Sequence, residues 1–345
     1  MTKVLVIATS RKTRGGITSV IKAHETGEQW EKFHCKWIET HRDGNPIRKL
    51  YYLFTALIEY ILLLPFYDIV HIHVATTQSA RRKKIFFYLA KWLHKKTILH
   101  FHPSNEKFLY EPNNKKLYRN LFSQADLVLV LSEQWKKWIK DALNVEQNIK
   151  ILYNPCPNIK RHITAKENII LFAGTIIERK GYADLIKGFA KIASKYKDWK
   201  IIMAGNGEIE KAQSIAQKYG IEKQIEFPGW IKGNTKENIF QKASIYCLAS
   251  YGEGFPMGVL DAWAYGIPCI VTPVGGLPDI VIDEENALIF NPGDDETLAQ
   301  KLDCLISNND LRTSISKASL QLAETTFNIK TINQQLGNIY QTLSK

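Results

Sequence analysis

Two carboxylates, Glu253 and Asp261, lie eight residues apart in the stretch Ser250-Tyr251-Gly252-Glu253-Gly254-Phe255-Pro256-Met257-Gly258-Val259-Leu260-Asp261-Ala262. Upstream, the cations Arg179 and Lys180 stand side by side before Gly181. Carboxylates accept hydrogen bonds from hydroxyls, and fixed cations beside helix starts stabilise the charge of a departing phosphate. Pro256 to Tyr265 reads as a helix, with proline near the first position, where a missing N–H costs nothing. Eight residues are about two helical turns, so both acids could face one ligand. Phosphate at the helix end and two acids for hydroxyls is the layout a nucleotide-sugar needs. The plainer alternative is that the acids merely stabilise a helix start, and that Arg179 and Lys180 are a solvated surface pair.

These residues need rigid elements behind them. The apolar run Ala243–Ala249 reads as a buried strand that delivers the acidic stretch at its end. Asn168–Ala173 is a strand, followed by the loop Gly174-Thr175-Ile176-Ile177-Glu178-Arg179-Lys180-Gly181 and a helix over Tyr182–Tyr196. Trp199–Ala204 is the next strand, and Gly205-Asn206-Gly207-Glu208 opens another helix, though a simple turn explains it equally. Pro268–Thr272 is a further strand, and Ile329–Leu343 is helical in pattern.

The first half repeats this architecture. Val4–Ser10 is a strand, Arg14-Gly15-Gly16-Ile17 a glycine loop, and a helix runs to about His24. Lys36–Glu39, Asp68–Val74, Thr97–His102, Asp126–Ser132 and Asn148–Tyr153 are strands separated by helical stretches. Alternating strands and helices predict parallel, doubly wound sheets. A chain of 345 residues is too long for one core, so two domains are expected. Asn154-Pro155-Cys156-Pro157-Asn158 breaks the pattern, and the unpatterned Ile159–Lys166 reads as the interdomain linker. Five cysteines without a C-x-x-C pair suit a reducing cytoplasm and argue against structural zinc. The short apolar run Val4–Ala8 reads as a buried strand rather than a signal peptide.

Charge is unevenly placed. Residues 1–150 hold 25 Lys and Arg against 13 Asp and Glu, whereas residues 151–345 hold 21 of each, so the net +12 belongs to the first half. That half is expected to meet something anionic. Leu50–Leu64 is apolar on nearly every side and too short to span a bilayer; it reads as a helix buried between the sheet and its neighbours, with an interfacial membrane helix as the alternative. Arg81-Arg82-Lys83-Lys84, an aromatic-rich segment and Lys95-Lys96 fit either adsorption to an anionic bilayer or a core helix with a solvated basic end. No nucleic-acid recognition signature accompanies the charge. His71/His73 and His100/His102 each share a strand face, which makes a metal site conceivable, although packed neutral histidines are the commoner use.

The stretch Glu253-Gly254-Phe255-Pro256, with an acid eight positions after the first, resembles the signature of the family 4 glycosyltransferases, although Asp261 stands where the family usually has Glu. Lys180-Gly181 matches the family's phosphate loop, with Thr175 at its arginine position and Arg179 as a neighbouring substitute. Gly205-Asn206 resembles the family's turn near the nucleotide, and Gly15-Gly16 its loop over the donor phosphates. His100-Phe101-His102-Pro103-Ser104 resembles its strand-end histidine, with His102 in register.

The resemblance implies a GT-B fold: two Rossmann-like doubly wound domains facing a central cleft. Residues 1–158 would bind the acceptor and 159–328 the nucleotide-sugar, while 329–345 would form a helix crossing back to the first domain. It implies a retaining hexosyltransferase that uses a UDP- or GDP-sugar as donor substrate, without cofactor or metal. The acceptor would be a glycan or polyprenyl-linked precursor of a surface polysaccharide, at the inner membrane face. Catalytic roles fall to Glu253, Lys180 and His102. Donor contacts fall to Gly15, Gly16, Arg179, Gly205, Asn206, Gly254, Phe255, Pro256, Met257 and Asp261. A non-catalytic nucleotide-sugar binder, or an epimerase or phosphorylase of the same fold, is the alternative.

Overall fold

The structure is a computed structural model that describes residues 2–161 and 165–345. Residues 162–164, within the linker expected at 159–166, lie outside the described residues. The chain divides into two compact units, Met1–Pro155 with Asn328–Lys345, and Cys156–Phe327.

In the first unit, strands β1 (Val4–Ala8), β2 (Lys36–Glu39), β3 (Ile69–Val74), β4 (Lys96–Phe101), β5 (Leu127–Val130) and β6 (Ile149–Ile151) form one parallel sheet in the order β2-β1-β3-β4-β5-β6. Helices α1 (Gly16–Glu25), α2 (Glu28–Lys32), α3 (Pro46–Leu63), α4 (Thr77–Trp92), α5 (Pro112–Gln124) and α6 (Glu133–Leu143) alternate with them. β1 and β3 are buried along their whole lengths, as strands covered by helices on both faces must be. Local sequence sets the helix starts. Asn45, Thr76 and Ser132 accept from Arg48 N, Ser79 N and Trp135 N, and Pro46 occupies the first turn of α3.

The second unit comprises β7 (Ile169–Ala173), β8 (Lys200–Ala204), β9 (Ile225–Glu226), β10 (Ile245–Leu248), β11 (Cys269–Val271) and β12 (Leu288–Ile289), ordered β9-β8-β7-β10-β11-β12. With α7 (Tyr182–Ala190), α8 (Ile209–Lys218), α9 (Gly233–Lys242), α10 (Met257–Ala264), α11 (Asp295–Ser307) and α12 (Asn309–Glu324), it is a Rossmann-like domain. The last helix, α13 (Ile329–Leu343), packs into the first unit: Tyr340 stacks edge-on against Phe33, and Asn333 Oδ1 lies 2.8 Å from His24 Nδ1. In both sheets the order reverses beside the first strand, between β1 and β3 and between β7 and β10. Such switch points open a crevice at the carboxyl ends of the strands.

Three sequence expectations need correction. α7 ends at Ala190 rather than Tyr196, because the amides of Ile192, Lys195 and Tyr196 bond three residues back, to Phe189, Ile192 and Ala193, and close turns instead. α3 is not buried between the sheet and its neighbours. Only Ala56 and Tyr60 of this helix are buried, and its outer face is apolar and exposed. The basic run opening α4 is not uniformly solvated: Lys83 is buried, donates to the carbonyl of His73 at 2.5 Å, and is pulled down to about 7 by burial and then by Arg82.

Candidate functional site

In the second unit, the switch point gathers the two chemistry-bearing stretches. The chain leaving β7 makes a tight turn over Glu178–Lys180 and then reaches Gly181, whose φ is +65°. A Cβ on Gly181 would lie 1.9 Å from the carbonyl oxygen of Ala249, so only glycine lets this loop approach the end of β10. Tyr251 N donates to the carbonyl of Arg179 at 2.8 Å and ties the two loops together. On the other side, Gly275 has φ +63°, and a Cβ there would lie 2.3 Å from the Glu253 carbonyl oxygen. Gly276 N donates to the carbonyl of Gly254 at 2.9 Å.

This framing places Lys180 Nζ 2.5 Å from Glu253 Oε1. The same oxygen accepts from Ser250 Oγ at 2.7 Å, and Arg179 Nη1 lies 3.7 Å away. Arg179 also donates to the carbonyl of Gly252. Ser250 is in turn fixed by Thr272, whose hydroxyl donates to its carbonyl at 2.6 Å. The Glu253 side chain is 8% exposed and that of Lys180 18%. Two cations thus share one nearly buried carboxylate, leaving the cluster with an excess positive charge, as a site for an anionic group requires.

Glu253 leads into α10. Pro256 caps this helix and accepts from Val259 N and Leu260 N, so the helix proper begins at Met257, one residue later than the sequence pattern suggests. The first amides of a helix have no carbonyl a turn back to bond, and they point along the positive end of its dipole. Phe255 is buried with its ring 5.2 Å from that of Phe327, a contact that anchors the turn.

Asp261 lies further along α10 and has its own cation. Lys236 Nζ on α9 is 2.7 Å from Asp261 Oδ2. Burial pushes the Asp261 carboxyl above its ordinary range, against the lowering pull of Lys236. Each acid therefore has its own cation, Lys180 for Glu253 and Lys236 for Asp261. Tyr246, whose hydroxyl lies 3.3 Å from the Ala173 carbonyl, titrates well above its ordinary value through burial, and both Asp261 and Glu253 add to that shift.

The loop after β8 lies alongside. Asn206 accepts from Ile176 N at 2.8 Å through its carbonyl, and Gly174 N donates to Ala204 at 3.0 Å. Gly205 and Asn206 are thereby zipped to the loop that carries Thr175, which is exposed.

In the first unit, Gly15 caps α1 and Gly16 opens it at the carboxyl end of β1. His102 follows β4, where its amide donates to the Val74 carbonyl at 2.7 Å. His71 and His73 on β3 face His100 and His102 across the ladder, with ring centroids 4.1–5.4 Å apart among these four residues. His73 Nδ1 is 2.9 Å from His102 Nε2, His71 Nε2 is 3.3 Å from His100 Nδ1, and His71 Nδ1 is 2.7 Å from the Tyr340 hydroxyl. Burial lowers His102 to about 3, with help from His24 and Lys83, and holds His71, His73 and His100 well below the usual imidazole range. All four are neutral near pH 7. One nitrogen each of His71, His73 and His100 could meet a metal ion, lying within 4.8 Å of one another; the hydrogen bonds already join the four rings in pairs and leave His100 Nε2 buried without a partner among the described residues.

Sequence reasoning missed Lys236, Tyr246 and Ser250. Ser250 carried a signal, three residues before Glu253 in the same loop. Lys236 carried none: nothing in its helix distinguishes it from a solvated lysine.

Residues 158–321 match the family described as glycosyl transferases group 1, and residues 6–157 match that described as glycosyltransferase family 4. An uncharacterised glycosyltransferase of Haemophilus influenzae is 28% identical over 228 residues, 64% of this chain and 64%, just under two thirds, of its own length. Sucrose-phosphate synthase from Thermosynechococcus elongatus superimposes with a TM-score of 0.81 at 17% identity, covering 99% of both chains. Anabaena HepE, solved in complex with UDP and glucose, superimposes with a TM-score of 0.78 at 16% identity over 99% of this chain and 100% of that one.

Proposed function

The chain belongs to the family-4-like glycosyltransferases of the GT-B fold, and from that premise we propose that it transfers a sugar, with retention of configuration, from a nucleoside-diphosphate sugar to a glycan or polyprenyl-linked acceptor. The observation that carries this reading is the 2.5 Å contact of Lys180 with Glu253, with Arg179 beside them, at the switch point of the second unit. UDP is the favoured nucleotide because the similar Anabaena protein holds UDP and glucose.

Lys180 and Arg179 stabilise the diphosphate as negative charge builds on the bridging oxygen, which is where preorganised charge lowers a barrier most. The first amides of α10, at Met257 and Gly258, and the amide at Gly254 add fixed dipoles for the same phosphates. Glu253 accepts from hydroxyls of the donor sugar while it orients Lys180. Asp261 accepts from the ribose hydroxyls through Oδ1, since Lys236 occupies Oδ2. Gly205 and Asn206 border the nucleoside.

In the first unit, His102 offers a neutral imidazole. Its Nε2 is engaged by His73, which leaves Nδ1 for a sugar hydroxyl. The acceptor oxygen bonds to the anomeric carbon from the side the diphosphate leaves, the bond from that carbon to the phosphate oxygen breaks, and the acceptor proton passes to the leaving phosphate. The excess positive charge of residues 1–150 supports an acceptor held at the inner, cytoplasmic face of a membrane, as in assembly of a surface polysaccharide.

The test is thermal-shift screening with UDP, GDP, ADP and their sugars, followed by product analysis with and without acceptor. Stabilisation by one nucleoside diphosphate and its sugar, with α-linked product from an α-linked donor, is expected. Binding without turnover in the presence of lipid-linked and soluble glycan acceptors would favour a sensor. Conversion of donor without acceptor into an isomeric sugar nucleotide would favour an epimerase.

A further inference from the structure

The outer face of α3 is an unusual surface for a chain in water. Ile47, Leu50, Tyr51, Phe54, Ile58, Ile61 and Leu62 follow helical spacing and are between 46% and 79% exposed. Phe66, in the turn after the helix, extends the same face. Contiguous apolar patches of this extent mark an interaction surface. The inner stripe is already committed: Tyr60 is fully buried, donates to the Phe86 carbonyl at 2.7 Å, and packs edge-on against the Phe86 ring. The end of the helix is tied down as well, by Lys95 Nζ donating to the Pro65 carbonyl at 3.0 Å. The segment Pro46–Phe66 is long and apolar enough to cross a bilayer, but a helix bonded along its side to its own domain lies flat instead.

The charge of the segment that carries the patch points to the occupant. From Pro46 to Lys96 the chain carries nine Lys and Arg against two acids. Arg48, Lys49, Arg81, Lys84 and Lys96 are exposed, and Trp92 stands 75% exposed at the end of α4. An exposed apolar helix face, in a segment rich in exposed cations and carrying an exposed amphipathic aromatic, matches the boundary of an anionic bilayer. A second copy would bring the same basic flank against itself in a twofold contact, where like charges repel.

We propose that α3 lies in the plane of an anionic membrane surface, with Leu50, Phe54 and Ile61 in the headgroup–acyl boundary and Lys49 and Lys84 on the lipid phosphates. This rests on the membrane setting of the proposed function and not on its chemistry, so vesicle binding is read without donor or acceptor.

The experiment is flotation of the full chain with vesicles of phosphatidylglycerol and phosphatidylethanolamine, compared with phosphatidylcholine alone. Wild-type protein is expected to float with the anionic vesicles and to be released by salt. Leu50→Asp/Phe54→Asp/Ile61→Asp should lower partitioning at least about tenfold, and Lys49→Gln and Lys84→Gln about fivefold each. All of these positions are exposed, so melting temperatures should stay at the wild-type value. Equal flotation by wild type and the triple variant overturns the proposal. So does wild-type protein that ignores anionic vesicles but sediments as a dimer that the triple variant breaks, which assigns the face to a second copy. If vesicle binding fails while UDP still raises the melting temperature, the membrane proposal falls and the transferase reading stands.

Discussion

Replacing Lys180 with methionine separates a structural role for the Lys180–Glu253 pair from a chemical one. At 2.5 Å and an effective dielectric constant of about 20, the gross attraction is about 6–7 kcal/mol. Desolvation of the two groups offsets most of it. When Lys180 is removed, Glu253 keeps Ser250 Oγ at 2.7 Å and Arg179 at 3.7 Å, so the carboxylate is only partly stranded. The net loss should fall below the range for a fully stranded buried charge, at about 2 kcal/mol, or ~4–8 °C in melting temperature for a unit of this size. The double variant Lys180→Met/Glu253→Gln replaces the ion pair with a neutral pair and should return to within about 1 kcal/mol of wild type. Turnover should behave differently. Loss of the cation facing the leaving diphosphate should cut kcat/KM at least about a hundredfold, and the double variant should recover none of it. The assays are urea unfolding and the initial rate of nucleotide release from the cognate donor. Recovery of turnover in the double variant, or full activity in Lys180→Met, would refute the chemical role.

Gly181→Ala should destabilise the protein by at least about 3 kcal/mol in thermal unfolding, because its Cβ meets the Ala249 carbonyl at 1.9 Å in a left-handed conformation; a loss under about 1 kcal/mol would show that the loop relaxes freely. Asp261→Asn should raise the donor KM about tenfold with a smaller change in kcat, since a ribose contact is made in ground and transition state alike; an unchanged KM removes Asp261 from the nucleotide site. Acid should open the first unit before the second. His102, held at about 3, and His24, at about 4, have folded values below that of the unfolded chain, so their contribution is complete above about pH 6.5 and is lost as pH falls toward those values. The expected slope is up to about 1.4 kcal/mol per pH unit for each buried histidine, read by hydrogen exchange; equal protection of first-unit peptides at pH 5 and pH 7.5 would contradict it.

The parallel sheets were legible because buried strands announce themselves as short apolar runs that lead into glycine-bearing loops, as Val4–Ala8 and Ile245–Leu248 do. The meeting of Lys180 and Glu253 was legible only through the family resemblance, since 73 residues separate them and the contact depends on strand order. The exposure of α3 was hidden because an apolar segment reads the same whether it faces a protein core or a membrane surface. Composition sets hydrophobicity; only the packing of Ala56 and Tyr60 decides which stripe turns inward. The pairing of Asp261 with Lys236 was hidden for a related reason, as it joins two helices across a strand and leaves no spacing to read.

The most direct measurement is a calorimetric titration of UDP and of uridine into wild type and Lys180→Met. If Lys180 grips the diphosphate, UDP affinity falls at least about tenfold in the variant, each tenfold being about 1.4 kcal/mol, while uridine binds both proteins alike. Equal affinity of UDP for the two proteins, or an equal loss for uridine, would mean that Lys180 does not hold the diphosphate.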